Sequence, residues 1–237
     1  MTTSVIIQAR MNSTRLPGKV MLELGGETVL SHVIKRCLAI KNADSVCCAI
    51  PDGTECNQIA DEAVRCGALV FRGSESDVLD RYHKAAISVK CDRVLRITSD
   101  CPLIDPTVCE AVIDLLDDED CDFATNNLPP SWPHGLDCEA FSADLLAKAA
   151  SLANSPHQRE HVGPWMRDEN PDVHIKNYPA PISDLSRYRW TLDTSKDYAF
   201  FKALFQFMPK DTQSYSYELP LEIVRANPSL SAINAIS

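Results

Sequence analysis

Basic residues are in short supply. Twenty-three Lys and Arg stand against 33 Asp and Glu, a formal net charge of -10 over 237 residues. That balance excludes the broad cationic surface that tracks nucleic acid, so no nucleic-acid partner is expected. Aromatics are few, at 7%. No run approaches 18 consecutive apolar residues, so no membrane-spanning helix is expected. The opening MTTSVIIQAR has no basic segment leading into a long apolar one, so no secretion signal is expected. The ten Cys include no C-x-x-C pair, which removes the common zinc and thioredoxin-type signals. Several, such as Cys47 and Cys48 in SVCCAI, lie inside apolar runs where cysteine behaves as a small hydrophobe. With 45% apolar residues the chain can bury a core without a disulfide framework, so a reducing cytoplasm is the expected setting.

What is present is an alternation of two periods. SVIIQ (4–8), SVCCAI (45–50), ALVFRG (68–73) and RVLRITS (93–99) read as short buried strands. Between them, 28–40, 55–67 and 76–89 read as helices, the last with Ser76 as its N-cap, and Pro106 opens another. This β-α-β-α order predicts a doubly wound, mostly parallel α/β sheet in three α/β/α layers. Beyond Asp122 the pattern loosens. Strands are predicted at FATNN (123–127), LDCEAFS (136–142), VHIKNY (173–178) and YRWTLD (188–193), and helices at 143–153, 157–168 and 195–208. There is no repeat or linker, so residues 1–237 read as a single domain. The Pro-rich LPPSWPHG suggests a protruding arm around 126–142.

In an acidic chain a local cluster of cations carries meaning. Arg10, Arg15 and Lys19 fall in one loop directly after the first strand, with Ser13, Thr14 and a Pro-Gly turn. Ligands of such sheets collect at the carboxyl ends of the strands. Arginine forks, a lysine point charge and turn N–H groups suit a polyphosphate. The loop is not a Walker A motif, because Ser13 stands where the first Gly belongs, and there is no G-x-G-x-x-G.

ARMNSTRLPGK resembles the A-R-x-x-S-x-R-L-P-G-K signature of the cytidylyltransferases that make CMP-activated acidic sugars, the spore coat polysaccharide branch in particular. CMP-Kdo synthetases are more distant relatives. The resemblance runs from Val5 to the C-terminal LEIVRANPSLSAIN. It implies a fold of the nucleotide-diphospho-sugar transferase type and a reaction of CTP with a sugar to give a CMP-sugar and pyrophosphate. It implies that Arg10, Ser13, Arg15 and Lys19 contact the triphosphate, Arg10 and Lys19 acting in catalysis, with Ala9, Arg81 and Thr98 near the nucleotide. Asp100, in SDCPLIDP, and Asp193, in WTLDTSKDY, match the family's two metal ligands, implying Mg²⁺ and a catalytic role for Asp100. Asp137 and Glu139 of GLDCEAF match a segment near the sugar, and Arg159 and His161 of HQREHV are candidate sugar or pyrophosphate contacts. A homodimer is also implied, with the arm near Trp132 as a contact. The Kdo branch has Gln-Gly-Asp-Glu-Pro where this chain has Thr98-Ser99-Asp100-Cys101-Pro102, so the residues reading base and sugar can differ.

Other readings stay open at this level. Another nucleotide with a sugar phosphate would use the same loop. A glycosyltransferase of similar fold would need a D-x-D, for which Asp120 and Asp122 are the candidates. A nucleotide-binding protein without catalysis is the third. His157–His161 spells H-x-x-E-H, a zinc-protease pattern, in a chain that otherwise reads as a nucleotide-binding protein. Asp80 and Arg81 can be an ordinary helix-surface pair.

Overall fold

The computed structural model describes residues 1–118, 120–211, 213 and 215–235. In chain order the elements are β1 (Thr3–Gln8), a small hairpin of β2 (Glu23–Leu24) and β3 (Glu27–Thr28), α1 (Val29–Leu38), β4 (Ser45–Pro51), α2 (Asn57–Arg65), β5 (Leu69–Gly73), α3 (Val78–Val89), β6 (Arg93–Thr98) and α4 (Pro106–Asp114). Then come β7 (Phe123–Thr125), β8 (Glu139–Ser142), α5 (Ala143–Leu152), α6 (Pro156–His161), α7 (Pro164–Arg167), β9 (Ile175–Asn177), α8 (Ser195–Leu204), α9 (Glu218–Ala226) and α10 (Pro228–Ile233).

Seven strands form one sheet in the order β5-β4-β1-β6-β8-β7-β9. Only β8 runs against the others. Strand periodicity sorts the apolar runs onto two faces. Val5, Ile7, Cys48 and Ile50 join one core, under α1, α2 and α4. Ile6, Cys47 and Ala49 join the other, with α3 and α5. The adjacent Cys47 and Cys48 thus serve opposite faces as small hydrophobes, and all ten cysteines are free. This is the expected three-layer α/β/α architecture. A third cluster gathers Trp132, Trp190, Phe200, Phe201 and Leu221 around the C-terminal helices.

The chain enters at β1, winds to β4 and β5 on one side, then crosses to β6 on the other. The loops after β1 and β6 therefore part at their carboxyl ends, the place where such sheets bind ligands.

Several local expectations need correcting. Asp77, not Ser76, caps α3 by accepting from the Asp80 N–H. The helix expected over 157–168 breaks at Val162, which has φ 67, and restarts at Pro164. Residues 188–193 are extended but form no strand; one bridge, Arg189 to His134, is all they make with the sheet-like backbone around them among the described residues. The segment 126–142 does not protrude. Only its tip, Leu128–Pro130, and His134 are exposed. Trp132 is 3% exposed, stacks on Tyr178, meets Tyr217 edge-on and donates its indole N–H to the Tyr178 carbonyl. It is spent on the chain's own core, so the segment presents only its tip, Leu128–Pro130, and His134 to the surroundings.

Candidate active site

The loop after β1 is shaped by its backbone. Gly18, at φ 68, donates its N–H to the Met11 carbonyl at 2.9 Å and closes the loop on itself. Lys19 begins the short 3-10 turn that follows. Its side chain crosses to the neighbouring loop, where Nζ lies 2.6 Å from Oδ2 of Asp100 and 2.7 Å from Oδ1 of Asp193.

Sequence alone cannot pair Asp100 with Asp193. The structure does it through the main chain: the Leu192 N–H donates to the Asp100 carbonyl at 2.8 Å. Asp193 is then fixed from behind. Thr194 caps α8 in a capping box with Asp197, whose carboxylate also accepts the Asp193 N–H. Arg189 bridges Asp193 and Asp197. Arg15 reaches Oδ1 of Asp193, the oxygen that Lys19 holds, at 3.2 Å.

Burial pushes the Lys19 ammonium toward neutrality, but the two carboxylates outweigh it and hold its pKa above the usual lysine value. Burial pushes Asp100 up, and Lys19 with the Thr98 hydroxyl brings it below the usual carboxylate range. The pair is thus ionised at neutral pH. A cation already stands between two hard carboxylate oxygens at the edge of a cation-lined pocket. That donor set suits Mg²⁺, which takes one or two carboxylates and completes its shell with phosphate oxygens and water.

Two cavities meet here. The first is lined by Ala9, Arg10, Ser13, Arg15, Lys19, Arg81, Thr98, Asp100 and Asp193, among others. It brings together every residue that the sequence assigned to nucleotide or metal. The second opens on the far side of the two aspartates and holds Arg96, Asn127, His134, Asp137, Glu139, His157 and Arg167. Arg15, Thr98, Asp100, His161 and Asp193 line both.

Arg81 is no surface residue. It is 2% exposed and its guanidinium donates to the carbonyls of Ser74 and Glu75. Its neighbour Asp80 is the outward one, paired with Lys84. Asp137 and Glu139 do share a cavity, but with different surroundings. Burial raises the pKa of Asp137 despite the Gly135 N–H and His134 beside it. Glu139 is clamped by Arg96 and Arg167, each at 2.9 Å. Arg159 does not belong to the site. It holds Asp77 at the start of α3 and caps the carbonyls of Ala150 and Ala153. Arg10 faces Glu160 across the pocket at 3.8 Å.

Arg96 and Arg167 were missed in the sequence. The available signal for Arg96 was a lone cation near the end of a buried strand, where one is costly without a partner. The rings of His157 and His161 meet at a tilt, centroids 4.6 Å apart, and among the described residues no group of three His, Cys, Asp or Glu side chains converges as a metal site. Asp120 and Asp122 precede β7, at the amino-terminal edge of the sheet, opposite the site.

The fold and the cation-lined pocket define a nucleotidyltransferase. Residues 4–225 match the cytidylyltransferase family, and the chain belongs to that family. It is 34% identical over 207 residues to the spore coat polysaccharide biosynthesis protein SpsF of Bacillus subtilis, covering 85% of each chain. A solved cytidylyltransferase from Leptospira borgpetersenii superposes with a TM-score of 0.93 at 33% identity, over 100% of this chain and 99% of that one. The fold is also that of a CMP:2-keto-3-deoxy-manno-octonic acid synthetase solved with CTP, at a TM-score of 0.68 and 19% identity over 87% of this chain and 99% of that one.

Proposed function

We propose that this enzyme transfers CMP from CTP to a hydroxyl of an acidic sugar, such as a nonulosonic acid, and releases pyrophosphate. The observation that carries the reading is the position of Asp100 and Asp193. They sit at the junction of a pocket walled by Arg10, Arg15 and Lys19 and a second one containing Arg96 and Arg167. The first suits a triphosphate and the second a sugar bearing a carboxylate.

In this reading Ala9, Arg81 and Thr98 border the nucleoside, while Arg10, Ser13, Arg15 and Lys19 hold the phosphates. The three cations are aimed at charge that grows on the departing pyrophosphate, where such groups lower a barrier most. Asp137 and Glu139 bound the acceptor, Glu139 by fixing the two arginines in place. Asp100 and Asp193 would hold Mg²⁺, which when bound neutralises phosphate charge and polarises the reacting phosphorus. Positioning of the reacting groups lowers the barrier further. A cytoplasmic homodimer completes the proposal; the ten free thiols support a reducing setting. The glycosyltransferase alternative loses its support, because Asp120 and Asp122 lie at the wrong edge of the sheet.

The test is pyrophosphate release with Mg²⁺ across the four NTPs and a panel of acidic and neutral sugars. Release that needs CTP and one acidic sugar is expected. Release with another NTP would overturn the CMP assignment and keep the mechanism.

A further inference from the structure

The backbone is strained where α6 ends. Val162 is fully buried and β-branched, yet it adopts φ 67 and ψ -59. The Gly163 N–H donates to the His161 carbonyl at 2.7 Å, closing a three-residue turn around it. Such a conformation persists only where the surroundings over-determine it. Here they do: Val162 is locked in the core beneath α3 and α5. A side chain at Gly163 would come within 3.1 Å of the Glu139 carboxylate. The turn ends α6 at His161 and leaves that residue on the border of both cavities.

Five residues line both cavities, and four of them are committed or inert. Asp100 and Asp193 are held by Lys19, Arg15 and Arg189. Arg15 is a permanent cation, and Thr98 has no useful basicity. His161 alone can take a proton near neutral pH without giving up an ion pair. Its ring meets His157, and no hydrogen bond to its nitrogens occurs among the described residues. The charged groups that act on it are His157 and Glu160 on α6, Arg96 on β6 and Arg167 on α7. Burial, then His157 and the two arginines, favour the neutral ring; Glu160 opposes them.

We infer that His161 is the general base of the transfer, accepting the proton of the acceptor hydroxyl as that oxygen attacks the α-phosphorus. This rests on the reaction proposed above. The O–H bond breaks toward an imidazole nitrogen and an O–P bond forms. The bond from the α-phosphorus to the bridging oxygen of pyrophosphate breaks, and the imidazolium later returns its proton to water. Val162 acts through His161 and is a positioning residue.

Two measurements on the full chain decide it. In ¹⁵N-histidine NMR, the ring signal missing from His161→Gln identifies His161. Its titration midpoint is expected below 6.5; a ring still protonated at pH 7 would overturn the inference. In pyrophosphate release from CTP with the best acceptor of the panel, His161→Gln is expected to lose about 10²–10⁴-fold in kcat. The acid limb of the rate profile should vanish with it, while CTP affinity stays as in the wild type. Should the glutamine variant not bind CTP, His161→Asn replaces it. An unchanged kcat with a raised KM for the sugar would make His161 a binding contact and overturn its role alone. A wild type silent with every acceptor would overturn the transfer reaction itself, and the base with it.

Discussion

The Lys19 ammonium holds both Asp100, 81 residues further on, and Asp193, 174 residues further on, at 2.6 and 2.7 Å. One cation thereby holds two carboxylates that would otherwise repel each other in a partly buried place. In the proposed reading Asp100 and Asp193 would hold Mg²⁺, and Lys19 would then be free to pair with phosphate oxygens.

Asp100→Asn keeps the shape of this arrangement and removes half of its charge. Turnover is expected to fall by about 10²-fold or more, with a near-native melting curve. Pyrophosphate release read beside circular dichroism checks this. Undiminished turnover would refute the metal-ligand assignment.

Chelation gives the matching result on the unaltered protein. Excess EDTA should stop pyrophosphate release and added Mg²⁺ should restore it. Full activity in EDTA would remove both aspartates from that role.

Gly135→Ala should be severely destabilising. Gly135 has φ 115, and a methyl there would stand 2.2 Å from the Trp190 carbonyl oxygen. Both the backbone strain and the collision act against the turn that docks residues 188–193. A loss of at least about 3 kcal/mol in urea denaturation is expected. A wild-type midpoint would show that the turn gives way cheaply.

Stability should fall with acid in two stages. Burial depresses the pKa of His32, whose Nε2 is hydrogen-bonded to the Leu24 carbonyl at 2.7 Å. The unfolded chain therefore takes up that proton first, and stability declines as pH drops below 6.5. Asp77 and Asp197 resist burial through Arg159 and Arg189 and are held below the usual 3.8. Their contribution is complete above 3.8 and is lost as pH falls through their folded values. Urea midpoints from pH 8 to 3 would show both stages, and His32→Asn should reduce the first, leaving the share of His161, whose pKa is also depressed. A first stage undiminished by this change would assign it elsewhere.

Light scattering at micromolar concentration is expected to give twice the mass of the chain. A single-chain mass would sink the homodimer.

The sheet from β1 to β6 was legible because its strands are uninterrupted apolar runs between amphipathic helices. The cation loop was legible for the same reason, since a loop after a buried strand has only one place to be. The C-terminal third was not. YRWTLD has a strand's composition, but its backbone is used to tie Trp190 to His134 and Leu192 to Asp100. The 157–168 periodicity carries straight through Val162, and nothing in a valine announces a positive φ. The Pro-rich segment suggested an arm because prolines disfavour regular structure, yet Trp132 anchors it inward. Arg159 matched a motif and is bonded to Asp77 and to the Ala150 and Ala153 carbonyls outside the two cavities, while Arg96 and Arg167 matched none and lie in the second cavity. Motif spacing records which residues recur, not which way they point.

The reversed strand β8 has a consequence for how such enzymes diverge. Because it runs backward, its first residue, Glu139, pairs with Arg96 near the end of β6 and arrives at the same rim as the loop after β1. The rim is thus assembled from two separately editable stretches, one ending strands and one beginning a strand. On the proposed reading, rewriting the approach to β8 would alter the acceptor side and leave the donor side intact, so a lineage would change its product without having to reinvent its chemistry.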